Sequence, residues 1–90
     1  RVYELRGDLY IRESLFAKAV SDFGDAIQIC DSRELFTKRG NAKQANGDIK
    51  GACEDWKNVL NVERTKYDTD ESIKEETKEA IESLKQFGEA

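Results

Sequence analysis

The chain has no proline, no histidine and no methionine, and its 90 residues include only two cysteines and one tryptophan. Without proline, no collagen-like or polyproline segment can form. Without histidine, the commonest acid–base catalyst and zinc ligand is missing. Cys30 and Cys53 are too few for a disulfide framework. Both read as helix-packing residues, which points to a reducing compartment such as the cytoplasm. No unbroken apolar run exceeds three residues, as in Leu9-Tyr10-Ile11 and Leu15-Phe16-Ala17. Neither a membrane-spanning helix nor the apolar centre of a signal peptide fits in such a run. The missing methionine and the start at Arg1 predict an excerpt of a longer protein.

Charged and apolar residues each make up 38%, a balance that suits a small α-rich domain better than a disordered chain. The net charge is −4, unevenly spread. Residues 1–69 hold 12 acids and 12 bases, while residues 70–90 hold seven acids and three lysines. No three bases stand in a row, so the basic stripe of a nucleic-acid binder or a membrane-surface helix is absent.

Overlaying the chain on itself at a shift of 33 brings like residues together. Tyr3 falls on Phe36, Arg6 on Arg39, Gly7 on Gly40 and Asp8 on Asn41. Phe16 meets Ile49, Ala19 meets Ala52, Asp22 meets Asp55 and Phe23 meets Trp56. Ala26 meets Val59, Ile27 meets Leu60 and Ile29 meets Val62. Each unit reads as two helices. Tyr3, Gly7 and Tyr10 share one helical face, and Phe36, Gly40 and Lys43 hold the same face in the second unit. Phe16, Ala19, Val20, Phe23, Ala26, Ile27 and Cys30 form a broad apolar stripe on the next helix. In the second unit that stripe is Ile49, Ala52, Cys53, Trp56, Val59, Leu60 and Val62. Glu13-Ser14 interrupts the first unit. Asn46-Gly47-Asp48 turns the second, with Gly47 free to take positive φ and Asp48 as N-cap. Such short links force neighbouring helices to run antiparallel.

Tyr3-x2-Arg6-Gly7-x2-Tyr10 followed by Ala19-x3-Phe23 resembles the tetratricopeptide repeat. Phe36-x2-Arg39-Gly40-x2-Lys43 followed by Ala52-x3-Trp56 repeats it. The likeness covers roughly residues 1–64. Arg stands where the family usually has Leu before each glycine, and Lys43 replaces the second aromatic. Asp31 and Arg64 stand near the places of the closing prolines, and the period is one short of about 34. The resemblance implies an all-α fold: a right-handed superhelix of two helix hairpins, residues 1–32 and 33–66, in one domain. Physically, Gly7 and Gly40 permit a close helix crossing. Ala19 and Ala52 are their small partners, and the aromatics at 3, 10, 23, 36 and 56 fill the groove between repeats. Gly24 and Gly51 lie off this register.

The C-terminal segment leaves the repeat, with Ile73 at the glycine register. Thr69 or Asp70 caps a helix over 69–88, with Ile73, Thr77, Ala80, Ile81 and Leu84 on one stripe. Gly88 is expected at C′. An apolar face for the last repeat and a polar face for water make this a capping helix. Tyr67, in the link over 63–68, is expected to fold back onto the core.

No chemistry-bearing constellation stands out. Asp68-x-Asp70-x-Ser72 with Glu79 mimics a calcium loop, but Ile73 occupies the position that needs glycine. Glu75, Glu79 and Glu82 read as a solvated face offset by Lys74, Lys78 and Lys85. Neither cysteine has a histidine to activate it. Gly47-x3-Gly51 lacks the Gly-Lys-Ser/Thr of a phosphate loop. Trp56, aligned with Phe23, reads as core rather than a stacking platform. No catalytic residue, metal ligand or cofactor is expected.

The family resemblance implies that function lies on the first helix of each repeat, along a concave face. Arg1, Glu34 and Ala45 fall on that face. The candidate groove residues are Glu4, Leu5, Asp8, Ile11 and Arg12 in the first unit. Thr37, Lys38, Asn41 and Gln44 follow in the second. All lie off the glycine–aromatic stripe, and Leu5 and Ile11 are apolar residues needing cover. The expected activity is a non-catalytic protein-interaction scaffold for a peptide or helix of a partner protein. The alternative is self-association, end to end, with other copies or repeats. Acidic chaperone tails, which some tetratricopeptide domains hold with Lys and Asn, would meet like charge at Glu4 and Asp8. The expected ligand sets an apolar group on Leu5 or Ile11 and a basic group near Glu4 and Asp8. Its acidic or amide group reaches Lys38 and Asn41.

Overall fold

The computed structural model describes residues 2–30, 32–62, 66 and 68–88. The described residues form five α-helices and no strand: α1 (Val2–Arg12), α2 (Phe16–Ile29), α3 (Arg33–Ala45), α4 (Ile49–Asn61) and α5 (Asp70–Phe87). Each helix packs on the next, and α3 also touches α5. Three residues link each first helix to its second, so each pair closes as a hairpin.

The two hairpins share their turn as well as their helices. Ser14 has φ 62° and Gly47 φ 88°. The Ser14 N–H donates to the Ile11 carbonyl and the Leu15 N–H to the Tyr10 carbonyl. Gly47 and Asp48 make the corresponding bonds to Gln44 and Lys43. Both turns are thus Schellman closures with a left-handed C′ residue. Asp48 then caps α4 by accepting from the Gly51 N–H at 3.0 Å. Leu15 sits at the same place before α2 and has no side-chain cap bond. Further on, Ser32 caps α3 through the Leu35 N–H. Thr69 begins α5 with a capping box shared with Ser72.

The glycines at the helix crossings take an aromatic ring each. A Cβ on Gly7 would lie 2.6 Å from the Phe23 ring, and one on Gly40 would lie 2.7 Å from Trp56 Nε1. The ring over each glycine belongs to the second helix of the same hairpin rather than to a neighbouring repeat. Two core clusters follow. Ala19, Phe23, Ala26, Leu35 and Ala42 form the first; Phe36, Ala52, Trp56, Val59 and Ala80 form the second. Ile27 packs against both. Phe87 closes the second cluster with its ring centroid 5.7 Å from that of Trp56.

Arg33 ties the last three helices together. It is 5% exposed, donates to the Val62 carbonyl at 3.2 Å, and pairs with Asp68 at 3.2 Å and Glu76 at 3.8 Å. These contacts fasten the first turn of α3 to the end of α4 and the start of α5. Gly24, an off-register glycine, faces Arg39 Nη1 across the α2–α3 contact.

Five expectations are corrected. Ile11 is not an uncovered groove residue. It is half-buried and packs on the first core cluster, because the Ser14 turn folds α2 back beside the last turn of α1. Leu60 and Ile81, expected in the apolar stripes, are 43% and 42% exposed, since each lies on a flank of its helix that no further helix covers. Cys30 is exposed, in extended backbone just past α2. Gly88 is also extended (φ −79°) rather than left-handed, and its N–H still donates to the Leu84 carbonyl. The expectations for Arg1, Asp31, Arg64 and Tyr67 lie outside the described residues.

Candidate functional site

Lys38 is where the candidate residues meet. It projects from the middle of α3 toward α1, and its ammonium donates to Glu4 Oε2 at 2.7 Å and Asp8 Oδ2 at 3.1 Å. Glu34, one turn earlier on α3, lies 3.4 Å away. Glu4 and Asp8 are four apart on α1, so one helical face presents both carboxylates. Burial works against the Lys38 charge, yet the hydrogen bonds to Glu4 and Asp8 push its pKa up to about 12. The same bond from Lys38 holds the Glu4 carboxyl below its ordinary value of 4.5.

Glu34, Thr37, Lys38 and Asn41 of α3 face Glu76 and Glu79 of α5 across an open groove of about 480 Å³. Asn41 is partly committed to the core, because its Oδ1 accepts from Trp56 Nε1 at 3.2 Å. Glu34, Glu76 and Glu79 line the groove and Glu4 and Asp8 lie behind Lys38, so among the described residues five carboxylates stand against two cations, Lys38 and the Arg33 that pairs with Glu76. The local charge of the groove is negative.

Of the candidate residues, Thr37, Lys38 and Asn41 line this groove, and Glu4 and Asp8 join it only through their bonds to Lys38. Leu5, Ile11, Arg12 and Gln44 do not line it. Leu5 is 64% exposed and shares one outer face of α1 with Val2 and Leu9. Arg12 is exposed and Gln44 half-buried. The expected division of charge is also corrected. Glu4 and Asp8 do not wait for a basic ligand while Lys38 waits for an acidic one; the three satisfy one another.

Sequence reasoning missed Glu76 and Glu79 as groove walls. Their spacing of three on an amphipathic helix was a visible signal, but which edge of α5 meets α3 was not. It also missed what the two arginines before the glycines do. Arg6 donates twice to Asp22, at 2.7 and 2.8 Å. Arg39 donates twice to Asp55, at 2.9 and 2.7 Å. Each is a bidentate pair from first helix to second, and Lys43 adds a third contact to Asp55 at 3.2 Å. Arg6 holds Asp22 below its ordinary 3.8, and Asp22 in turn raises the pKa of Arg6.

Among the described residues no three His, Cys, Asp or Glu side chains gather to hold a metal ion. Asp68 pairs with Arg33, and Asp70 begins α5 rather than continuing a loop. No described helix is long and apolar enough to cross a membrane. No protein-family model, no curated protein and no solved structure matches the chain.

Proposed function

We propose that this chain is a non-catalytic protein-interaction scaffold of tetratricopeptide type, and that the groove between α3 and α5 holds a basic segment of a partner protein. The repeat reading is supported by the duplicated glycine–aromatic crossing, the duplicated turn and the duplicated Arg–Asp pair, all at an interval of 33. One observation carries the charge preference. Lys38 is already engaged by Glu4 and Asp8, and Arg33 by Asp68 and Glu76, so Glu34 and Glu79 face a ligand with no cation to spare.

Anisotropy titration with labelled peptides tests this. A Lys/Arg-rich peptide carrying one leucine binds, weakens as salt rises, and loses affinity in the double variant Glu76→Gln, Glu79→Gln. An acidic peptide of the same length does not bind. Equal binding of the two peptides, or none by either, defeats the proposal.

A second reading, self-association, is favoured by the exposed stripe of Val2, Leu5 and Leu9 on α1. Light scattering across concentration separates it. A mass that rises with concentration in the parent and not in Leu5→Lys supports it; a constant monomer mass removes it.

A further inference from the structure

A second concavity lies away from the Lys38 groove. Helices α4 and α5 diverge around an open trough of about 1000 Å³. Its floor includes Cys53, Leu60, Ile81 and Leu84. Leu60 and Ile81 are among the large apolar residues the fold leaves exposed. Its rim carries Lys50, Lys57 and Lys85, with Glu54 as the one acid among the described lining residues. These lysines are set apart by standing together over an apolar floor; like Arg12, Lys18, Lys74 and Lys78, they differ from the cations that hold the helices together. Arg6, Arg33, Lys38, Arg39 and Lys43 are each paired with a carboxylate. Lys50, Lys57 and Lys85 make no ion pair with a described residue. On a chain of net charge −4, this trough is a local patch of opposite sign over an apolar floor.

We propose that the trough is a docking site for an amphipathic helix of a partner protein, one whose apolar stripe is bordered by Asp and Glu. Two packed helices leave a groove whose width suits a third, laid with its apolar face down. The apolar floor supplies the burial, and the three rim lysines select acidic borders over basic ones. A second copy of this chain fits less well. The exposed stripe it would offer, Val2, Leu5 and Leu9, is bordered by Arg6, Arg12 and Glu13 and carries no acidic excess. The acids of α5 are on a helix whose Ala80, Leu84 and Phe87 already pack on the second core cluster, leaving Ile81 as its one large exposed apolar residue among those described.

The test uses the whole chain and two labelled helix-forming peptides that share a Leu/Ile stripe, one with Glu borders and one with Lys borders. The Glu-bordered peptide binds, and its affinity falls roughly tenfold or more in Ile81→Glu, a surface change whose folding is checked by circular dichroism. The double variant Lys50→Glu, Lys57→Glu reverses the preference in favour of the Lys-bordered peptide. The variant Glu79→Gln leaves binding of the Glu-bordered peptide unchanged, which keeps this site distinct from the α3–α5 groove. Absence of binding, equal binding of both peptides, or insensitivity to Lys50→Glu, Lys57→Glu overturns the proposal. So does sedimentation showing a dimer of the parent chain that Ile81→Glu dissociates, because the occupant is then a second copy.

Discussion

Arg39 grips the buried carboxylate of Asp55 with two hydrogen bonds, 33 residues after Arg6 grips Asp22 in the same way. Asp55 is 1% exposed, so its charge depends on partners supplied by α3. Arg39→Leu leaves that carboxylate with Lys43 alone and is expected to destabilise the fold by about 3 kcal/mol. Adding Asp55→Leu removes the stranded charge, and the double variant should recover part of the loss. Urea midpoints of the parent, both single variants and the double decide this. A double variant less stable than Arg39→Leu would mean that Asp55 has a role beyond answering the arginine.

A packing prediction concerns the glycine beside that arginine. A Cβ at Gly40 meets Trp56 Nε1 and Cδ1 at 2.7 and 2.9 Å, and the Ala52 carbonyl oxygen at 3.3 Å. The backbone cannot retreat without disturbing the crossing, so Gly40→Leu should cost about 1–3 kcal/mol or more. Trp56 fluorescence reports the same event, since its ring is otherwise 1% exposed. Unchanged denaturation midpoints for the variant would remove the close-crossing argument.

These two relationships differ in how visible they were. Small, large and aromatic positions recur at 33, and the glycine–aromatic crossing follows from that period because packing is periodic. The same overlay placed Arg6 on Arg39 and Asp22 on Asp55, yet nothing in it paired arginine with aspartate. That pairing spans 16 residues across a hairpin and appears only once the hairpin closes. Lys38 is a stronger case. Its partners Glu4 and Asp8 lie 34 and 30 residues back, on a helix that reaches it only through the packing of both hairpins. Leu60 and Ile81 failed for a related reason. Periodicity marks an apolar flank but does not say whether another element covers it.

The turns offer a graft. Ser14 holds a left-handed φ that Gly47 holds in the second hairpin, and a non-glycine residue there is strained. Leu15 has φ −93° and ψ 68°, nearly the −91° and 75° of Asp48, but it cannot cap a helix. Copying the second turn into the first, Ser14→Gly with Leu15→Asp, should stabilise the chain by about 1–2 kcal/mol in total. The reverse change, Gly47→Ser, should destabilise it. Thermal or urea unfolding of the two variants checks the pair. A graft that lowers the midpoint would mean that Leu15, 39% exposed, contributes more by packing than a cap bond returns.

The last prediction is a pH profile. With no histidine in the chain, no side chain of ordinary pKa titrates between about pH 5 and 8, so stability should be level across neutrality. Glu4 is held below its ordinary 4.5 by Lys38, and Asp22 below its ordinary 3.8 by Arg6. A folded state that lowers a carboxyl pKa gains stability above the unfolded value and loses it as pH falls through the folded one. Stability should therefore drop on acidification below about pH 4.5. Lys38 has the opposite sign. Its pKa is raised from 10.5 to about 12, so its contribution is complete below 10.5 and is lost as pH rises toward 12. Glu4→Gln should lower stability at neutral pH and flatten the acid limb, bringing parent and variant together at low pH. Lys38→Met leaves Glu4, Asp8 and Glu34 facing one another. Mild acid should then relieve repulsion and raise the stability of that variant while it lowers that of the parent. Urea midpoints measured from about pH 3 to about pH 8 on the three proteins give the slopes directly. Parallel acid limbs for the parent and Lys38→Met would show that the ammonium does not bind those carboxylates in solution.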